Sequence, residues 1–234
     1  MGNLLEIRDI HTFIGQFHIL EGVTAEIPEG AIVAMLGRNG AGKTTTLKSI
    51  LGLTPPSKGK IIFNGQEIQG RRSYDIANLG IGYVPEHRAI FGALSVYENL
   101  LLAERHKGDL ARKEEFIFSL FPDLKRLMKL RGTNLSGGQQ QMLAVARALV
   151  PDNKLLLIDE PTEGLAPVII EQMMAAIEEL SGETTVLLVE QNFTVAGKLA
   201  GDYIIIEEGQ SVKHGAMADL REDKAAIHHY LGAA

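Results

Sequence analysis

The chain has 234 residues, a net charge of −6 and a pI near 5.7, a balance that excludes the broad basic footprint nucleic-acid binding requires. Hydrophobic residues make 45% and charged residues 22% of it, which excludes a disordered or collagenous chain and suits one large α/β domain, or a domain with an insertion. Without cysteine, neither a disulfide framework nor a thiolate metal site can form.

The opening MGNLLEIRDI alternates at once and lacks a basic start followed by an apolar core, so export is not expected. Glu6 stands where a myristoylation signal requires Ser or Thr. No apolar run approaches the roughly 20 residues of a membrane helix, so any membrane role is expected to come through partners.

In chain order, LLEIRDIHTFI and ILEGVTAEIPEG alternate in period two, predicting antiparallel strands with one solvated face. AIVAMLG, KLLLIDE, TTVLLVE and DYIIIEEG are continuous apolar runs, the pattern of strands buried on both faces of a parallel sheet. KTTTLKSILGL and APVIIEQMMAAIEEL read as intervening helices, giving a βαβ arrangement. Between about Ser95 and Val150 the strand signal stops, and VYENLLLAERH, RKEEFIFSLFPDLKRLMKL and SGGQQQMLAVARALV predict a helical insertion. After Gly215, AMADLREDKAAIHHYLG predicts a short polar helix and a surface tail. His228 and His229 are adjacent, so they do not share a helical face, and surface or packing roles are expected for them.

The sharpest signal is GRNGAGKTT, comprising Gly37, Arg38, Asn39, Gly40, Ala41, Gly42, Lys43, Thr44 and Thr45. It matches G-x-x-x-x-G-K-[ST], follows a predicted strand and opens a predicted helix, the context that separates a phosphate-binding loop from a glycine-rich helix cap. Small residues let backbone N–H groups close around phosphate oxygens at the positive end of the helix. Lys43 is expected to reach the β- and γ-phosphates, Thr44 to ligate Mg²⁺ and Thr45 to contact the α-phosphate. In KLLLIDEP, four apolar residues carry Asp159 and Glu160 to the carboxyl end of a buried strand, where open parallel sheets bind ligands. Asp159 is expected to hold Mg²⁺ and Glu160 to accept a proton from the attacking water, giving Mg²⁺-dependent hydrolysis of the γ-phosphate of a bound nucleoside triphosphate.

The stretch LSGGQQQ then narrows the class. Ser136 offers a hydroxyl, and Gly137 and Gly138 offer backbone N–H groups, at a helix start. With Leu135 and Gln139 they form LSGGQ, and the chain resembles the ATP-binding subunits of ABC transporters over essentially its whole length. The resemblance implies an α/β P-loop NTPase with a parallel core sheet, an N-terminal antiparallel β subdomain and an inserted helical subdomain near residues 93–150, in a single domain spanning 1–234. It also implies that the signature closes over ATP bound to a second ABC ATPase subunit in a head-to-tail dimer. EPTEGLAP, YVPEHR and LLVEQN are similar to the branched-chain amino-acid importer ATPases of LivF type, and to subunits of amide and urea importers.

Three positions depart from the family pattern. Glu86 stands where most members have the Gln that meets Mg²⁺ and water; a carboxylate can still ligate the hard cation but adds negative charge beside phosphate. Gln191 stands where most have His, and is expected to sense the γ-phosphate without titrating. Ile14 occupies the place of the aromatic residue that stacks on adenine; Phe13 and Phe17 are alternative contacts, although core positions are favoured for both. Glu86 and Gln191 together predict a weakened hydrolytic site paired with a different subunit, a homodimer being the alternative.

The resemblance implies a cytoplasmic subunit on the inner face of the membrane that energises two transmembrane permeases and, through them, serves a solute-binding protein, without nucleic acid. A regulatory subunit with little hydrolysis of its own is one alternative. A soluble ABC ATPase of nucleic-acid repair or translation is another, and the acidic chain without long coiled coils or tandem nucleotide domains speaks against it.

Overall fold

The computed structural model describes residues 2–182 and 184–232. The chain opens with a hairpin of β1 (Asn3–Ile14) and β2 (Phe17–Pro28), then forms β3 (Ile32–Leu36) and α1 (Lys43–Ile50). Next come β4 (Lys58–Phe63), β5 (Gln66–Glu67), α2 (Ser73–Asn78) and β6 (Ile81–Val84). Four helices follow: α3 (Val96–Leu101), α4 (Asp109–Leu120), α5 (Pro122–Arg126) and α6 (Gly137–Leu149). The remainder comprises β7 (Leu155–Asp159), α7 (Pro167–Glu178), β8 (Thr185–Glu190), α8 (Phe193–Leu199), β9 (Asp202–Glu207), β10 (Gln210–Ala216), α9 (Met217–Glu222) and α10 (Lys224–Ala226).

These strands make two sheets. One is antiparallel, in the order β2-β1-β4-β5; the other runs β10-β9-β3-β8-β7-β6 and is parallel except for β10 at its edge. Successive side chains on a strand face opposite ways, and the two-sided burial of the second sheet follows from that rule. Ile32, Ala34 and Leu36 of β3 join Val186 and Leu188 of β8 in a core with α6 and α7. Val33 and Met35, with Leu187 and Val189, face the opposite core, shared with α1 and the antiparallel sheet. Every residue of β3, β7 and β8 is buried, so an alternating pattern could not have been selected there. A buried contact between the hydroxyls of Thr12 and Ser49, 3.0 Å apart, ties β1 to α1.

Since β6 pairs directly with β7, the chain from 85 to 154 leaves and re-enters between neighbouring strands. The long predicted helix RKEEFIFSLFPDLKRLMKL is divided into α4 and α5. Phe121 precedes Pro122 and has φ −128° and ψ 71°, because the proline ring disfavours helical backbone in the residue before it. Strands β4, β5, β6 and β10 had no counterpart in the sequence-based reading: KGKIIF begins exposed and polar, β5 and IGYV are short, and QSVKHGA sits half exposed at the sheet edge.

The region after Gly215 is not a surface tail. Met217, Leu220, Ala226 and Leu231 are buried in the core that holds α6 and α7, and a π-helical turn, Ile227–Leu231, continues from α10. His228 and His229 are exposed, and the His229 carbonyl accepts a hydrogen bond from Arg38 at 3.0 Å. Leu220 is 0% exposed. Its replacement by Ala should cost about 2–5 kcal/mol of stability in urea unfolding, whereas a surface residue would cost under about 0.5 kcal/mol.

Candidate nucleotide site

The loop between β3 and α1 is built around backbone conformation. Gly42 has φ 110°, a value open to glycine and strained for other residues, and it turns the chain into α1. The Lys43 side chain is 4% exposed and folds over the loop, its Nζ donating to the carbonyls of Gly37 at 2.9 Å and Arg38 at 3.2 Å. The same Nζ lies 3.2 Å from Oε1 of Glu160. A cavity of ≈ 390 Å³ opens here, lined by Asn39, Gly40, Gly42, Lys43, Thr44, Thr45, Glu86, Glu160 and Glu163, with Ile14 and Ile19 on its apolar side.

Sheet order explains how distant residues meet. In register, Leu36 is opposite Glu190 and Val189 opposite Asp159, so β3, β8 and β7 end side by side. Thr44 Oγ1 donates to Asp159 Oδ1 at 3.1 Å and the Tyr83 hydroxyl donates to Oδ2 at 3.4 Å. Burial pushes the Asp159 carboxyl above the usual carboxylate range, with the Thr44 hydrogen bond acting the other way. Burial, then the charge of Asp159, pushes the Tyr83 hydroxyl up as well. The oxygen donors of Thr44, Asp159 and Glu86 fit Mg²⁺, a hard cation that takes one or two carboxylates together with phosphate oxygens and water.

Glu160 stands in the left-handed region at φ 46°, a placement that costs a non-glycine residue about 1–3 kcal/mol and must be held by its surroundings. Its N–H donates to the Val189 carbonyl at 2.9 Å. The next turn is held from the same strand, through a 2.7 Å hydrogen bond from Thr162 Oγ1 to Glu190 Oε1. Glu190 is 2% exposed, and burial raises its carboxyl to about 7.

Leu135 is buried, and Ser136 and Gln139 form a capping box at α6: Ser136 N–H donates to Gln139 Oε1 at 2.9 Å, and Gln139 N–H to Ser136 Oγ at 3.3 Å. Both signature glycines are closely approached. A Cβ on Gly138 would meet Ile169 of α7 at 3.0 Å, and one on Gly137 would meet the Arg88 guanidinium at 3.2 Å. Arg88 and Ala89 are themselves left-handed, at φ 61° and 48°. The loop carrying Glu86 thus touches the start of α6.

Several expected residues lie elsewhere. Phe13 and Phe17 are not in the core: they are 46% and 65% exposed, because they flank the hairpin turn at the tip of the antiparallel sheet. Phe13 stacks on His18, with ring centres 4.2 Å apart, and neither Phe lines the cavity. Ile14 does line it, beside Ile19, which the sequence reading had not singled out. Gln191 is exposed just past β8 and is not among the cavity-lining residues. Glu190, Thr162 and Tyr83 carried no assigned role; the signal available for Glu190 was a carboxylate ending an otherwise apolar run.

With this geometry in view, residues 20–163 match the family model described as ABC transporter. The chain belongs to the ABC transporter family. The cassette is 40% identical to the high-affinity branched-chain amino acid transport ATP-binding protein BraG of Pseudomonas aeruginosa, over 98% of this chain and all of that protein. It is 36% identical to the probable branched-chain amino acid transport ATP-binding protein LivF of Archaeoglobus fulgidus, over 88% of this chain and 89% of that one. Its fold is similar to that of MJ1267, an ATP-binding cassette of an ABC transporter solved in its ADP conformation, with TM-score 0.84, 22% identity and full coverage of both chains. This cassette is therefore a nucleotide-binding protein and an ATPase coupled to transport. Among the described residues no helix is long and apolar enough to cross a membrane.

The Glu190 environment has a pH signature. Raised from an ordinary 4.5 to about 7, this carboxyl binds more proton in the folded than in the unfolded state across that interval. Its contribution to stability is therefore present below pH about 4.5 and lost as pH rises through about 7, up to an order of 3 kcal/mol. Urea midpoints measured at pH 5 and 7.5 should fall for wild type relative to Glu190→Gln, which does not titrate.

Proposed function

We propose that this cassette drives an importer of branched-chain amino acids or related small solutes. Support for the solute class comes from BraG and LivF, whose names assign them to branched-chain amino acid transport and which align along most or all of their length. On this reading the cassette sits in the cytoplasm against the inner face of the membrane, binds two separate permease subunits, and serves a solute-binding protein through them. The block near residues 93–150 is a helical subdomain, and α3 with the loop before it exposes Phe91, Tyr97, Leu101 and Leu102, apolar surface suited to a membrane subunit. No nucleic-acid partner is proposed for this acidic chain.

The observation that carries the chemistry is the Lys43–Glu160 contact at 3.2 Å. Phosphate held by the N–H groups of residues 39–45 and by Lys43 lies beside Glu160, the only carboxylate in contact with Lys43 among the described residues. Glu160 accepts a proton from the water whose oxygen bonds to the γ-phosphorus, while the bond from that phosphorus to the β,γ-bridging oxygen breaks and leaves ADP. Thr44 and Asp159, with Glu86 available, would hold Mg²⁺, whose positive charge would neutralise the phosphates. Leu135 through Gln139 act on ATP bound to a second ABC ATPase subunit, which makes hydrolysis depend on association. Ile14 and Ile19 offer adenine an apolar surface in place of an aromatic one.

A weaker intrinsic hydrolysis, completed by a different subunit in a heterodimer, is favoured by the exposed Gln191 and by the extra negative charge of Glu86 in the cavity. Single-turnover assays of the purified cassette should give slow hydrolysis, falling a further 10²–10⁴-fold, as an order of magnitude, in Glu160→Gln while ATP binding persists. Rapid hydrolysis by the lone wild-type chain would overturn the weakened-site reading, and an undiminished rate in Glu160→Gln would remove Glu160 as the base. Gln191→His should raise hydrolysis by the assembled complex; no change would leave Gln191 a surface residue.

Uptake separates the solute from the enzymology. Cells whose only copy carries Lys43→Ala should lose uptake of labelled leucine, isoleucine and valine. Loss of amide or urea uptake instead would reassign the solute class.

A further inference from the structure

We propose that Glu190 is a positioning residue for hydrolysis, its buried carboxylate binding the turn after Glu160 to the end of β8 and so fixing where the Glu160 side chain points. The inference rests on the assignment of Glu160 as the base and goes beyond it, since Glu190 itself faces Thr162 and is not among the cavity-lining residues.

The geometry is a two-point clamp. At one point Glu160 N–H donates to the Val189 carbonyl at 2.9 Å; at the other, Thr162 Oγ1 donates to Glu190 Oε1 at 2.7 Å. Between them the backbone of Glu160 is held at φ 46°, a conformation that would relax if one point were released. Thr162 is 5% exposed and Glu190 2% exposed, so water has little access to replace the bond. Inside the turn, Glu163 N–H donates to the Glu160 carbonyl and Leu165 N–H to the Thr162 carbonyl, both at 3.3 Å, so a shift at Thr162 is transmitted to Glu160.

The second carboxylate oxygen acts on the other side. Glu190 Oε2 accepts from Asn192 N–H at 3.3 Å, and Asn192 Oδ1 caps α8 by accepting from Thr194 N–H at 3.0 Å and Val195 N–H at 3.4 Å. Gln191 is thus bracketed by two anchored residues. One carboxylate connects the turn carrying Glu160 with the backbone carrying Gln191.

Desolvating a carboxylate is costly, and a neutral hydroxyl or amide at this position would satisfy Thr162 without that cost. What the ionised carboxylate, the form above pH about 7, adds is two strong acceptors on one rigid group, which can engage the turn and the Asn192 backbone together. An amide has one acceptor and can make only one of these bonds.

The test uses the full-length chain with Glu190→Ala, Glu190→Gln, Thr162→Val and the double variant Glu190→Ala/Thr162→Val. Single-turnover hydrolysis should fall on the order of 100-fold in Glu190→Ala with ATP affinity within about twofold, the mark of lost positioning and not lost binding. Glu190→Gln should recover part of that loss, leaving a deficit of about tenfold, and the double variant should be no worse than Glu190→Ala. Losses that multiply in the double variant, or ATP affinity that falls in step with the rate, would overturn the proposal.

Amide hydrogen exchange over residues 160–165 gives a readout without turnover. It should quicken by about tenfold or more in Glu190→Ala while the rest of β7 keeps its protection. Unchanged exchange there would overturn the clamp. Full hydrolysis by Glu160→Gln alongside quickened exchange in Glu190→Ala would instead retain the clamp and reject its use in hydrolysis, since the residue it positions would not be the base.

Discussion

Everything at the nucleotide site depends on three strands pairing in the order β3, β8, β7. Each is buried on both faces, so its backbone groups must be satisfied along the ladder, and the strands are held at the fixed spacing of a sheet. Their carboxyl ends therefore bring together the phosphate loop, the acidic pair Asp159–Glu160 and the stretch ending in Glu190 and Gln191. Residues more than a hundred positions apart in sequence, such as Thr44 and Asp159, come within 3.1 Å.

That arrangement places strongly interacting charges in a partly dry setting. Lys43, almost wholly buried, contacts Glu160, while Asp159 and Glu190 have carboxyls raised by burial. Asp159 and Glu190 each feel the negative charge of Glu160, and Asp159 that of Glu86 as well. Such a concentration of acidic groups is costly unless compensated, and the Lys43 ammonium 3.2 Å from Glu160 supplies opposing charge. Strain is present at the same edge, where Arg88, Ala89 and Glu160 all occupy left-handed backbone.

The contact of Arg88 with Gly137 supplies a mechanical connection. The loop holding Glu86 touches the N-terminus of α6, and Gly138 packs against Ile169 at the start of α7. A Cβ at either glycine would require the Arg88 guanidinium or the Ile169 side chain to give way by a few tenths of an ångström. Small residues in the LSGGQ stretch thus suit the close packing inside this chain, in addition to any contact they make with a second subunit.

Much of this was legible in the sequence. The phosphate loop, the acidic strand end and the LSGGQ helix start follow from local residue chemistry and spacing, which act within a few residues of chain. The buried strands showed as continuous apolar runs for the same reason. Other features depend on what lies across the sheet. The burial of Met217 and Leu220 was hidden because a short helix among charged residues resembles a polar one until its partner surface is known. The division of α4 from α5 was signalled by Pro122, but β4 is half exposed and polar at its start, and β6 has only four residues. Phe13 and Phe17 are apolar enough for a core and are exposed because they flank the turn at the hairpin tip. The sequence by itself determined that Lys43 and the small residues of its loop open a helix and that Asp159 and Glu160 end a buried strand. Only the tertiary structure decided that Glu190 grips Thr162 and that Ile14 and Ile19 share the apolar side of the cavity, because those contacts arise from strand order and register, which are long-range.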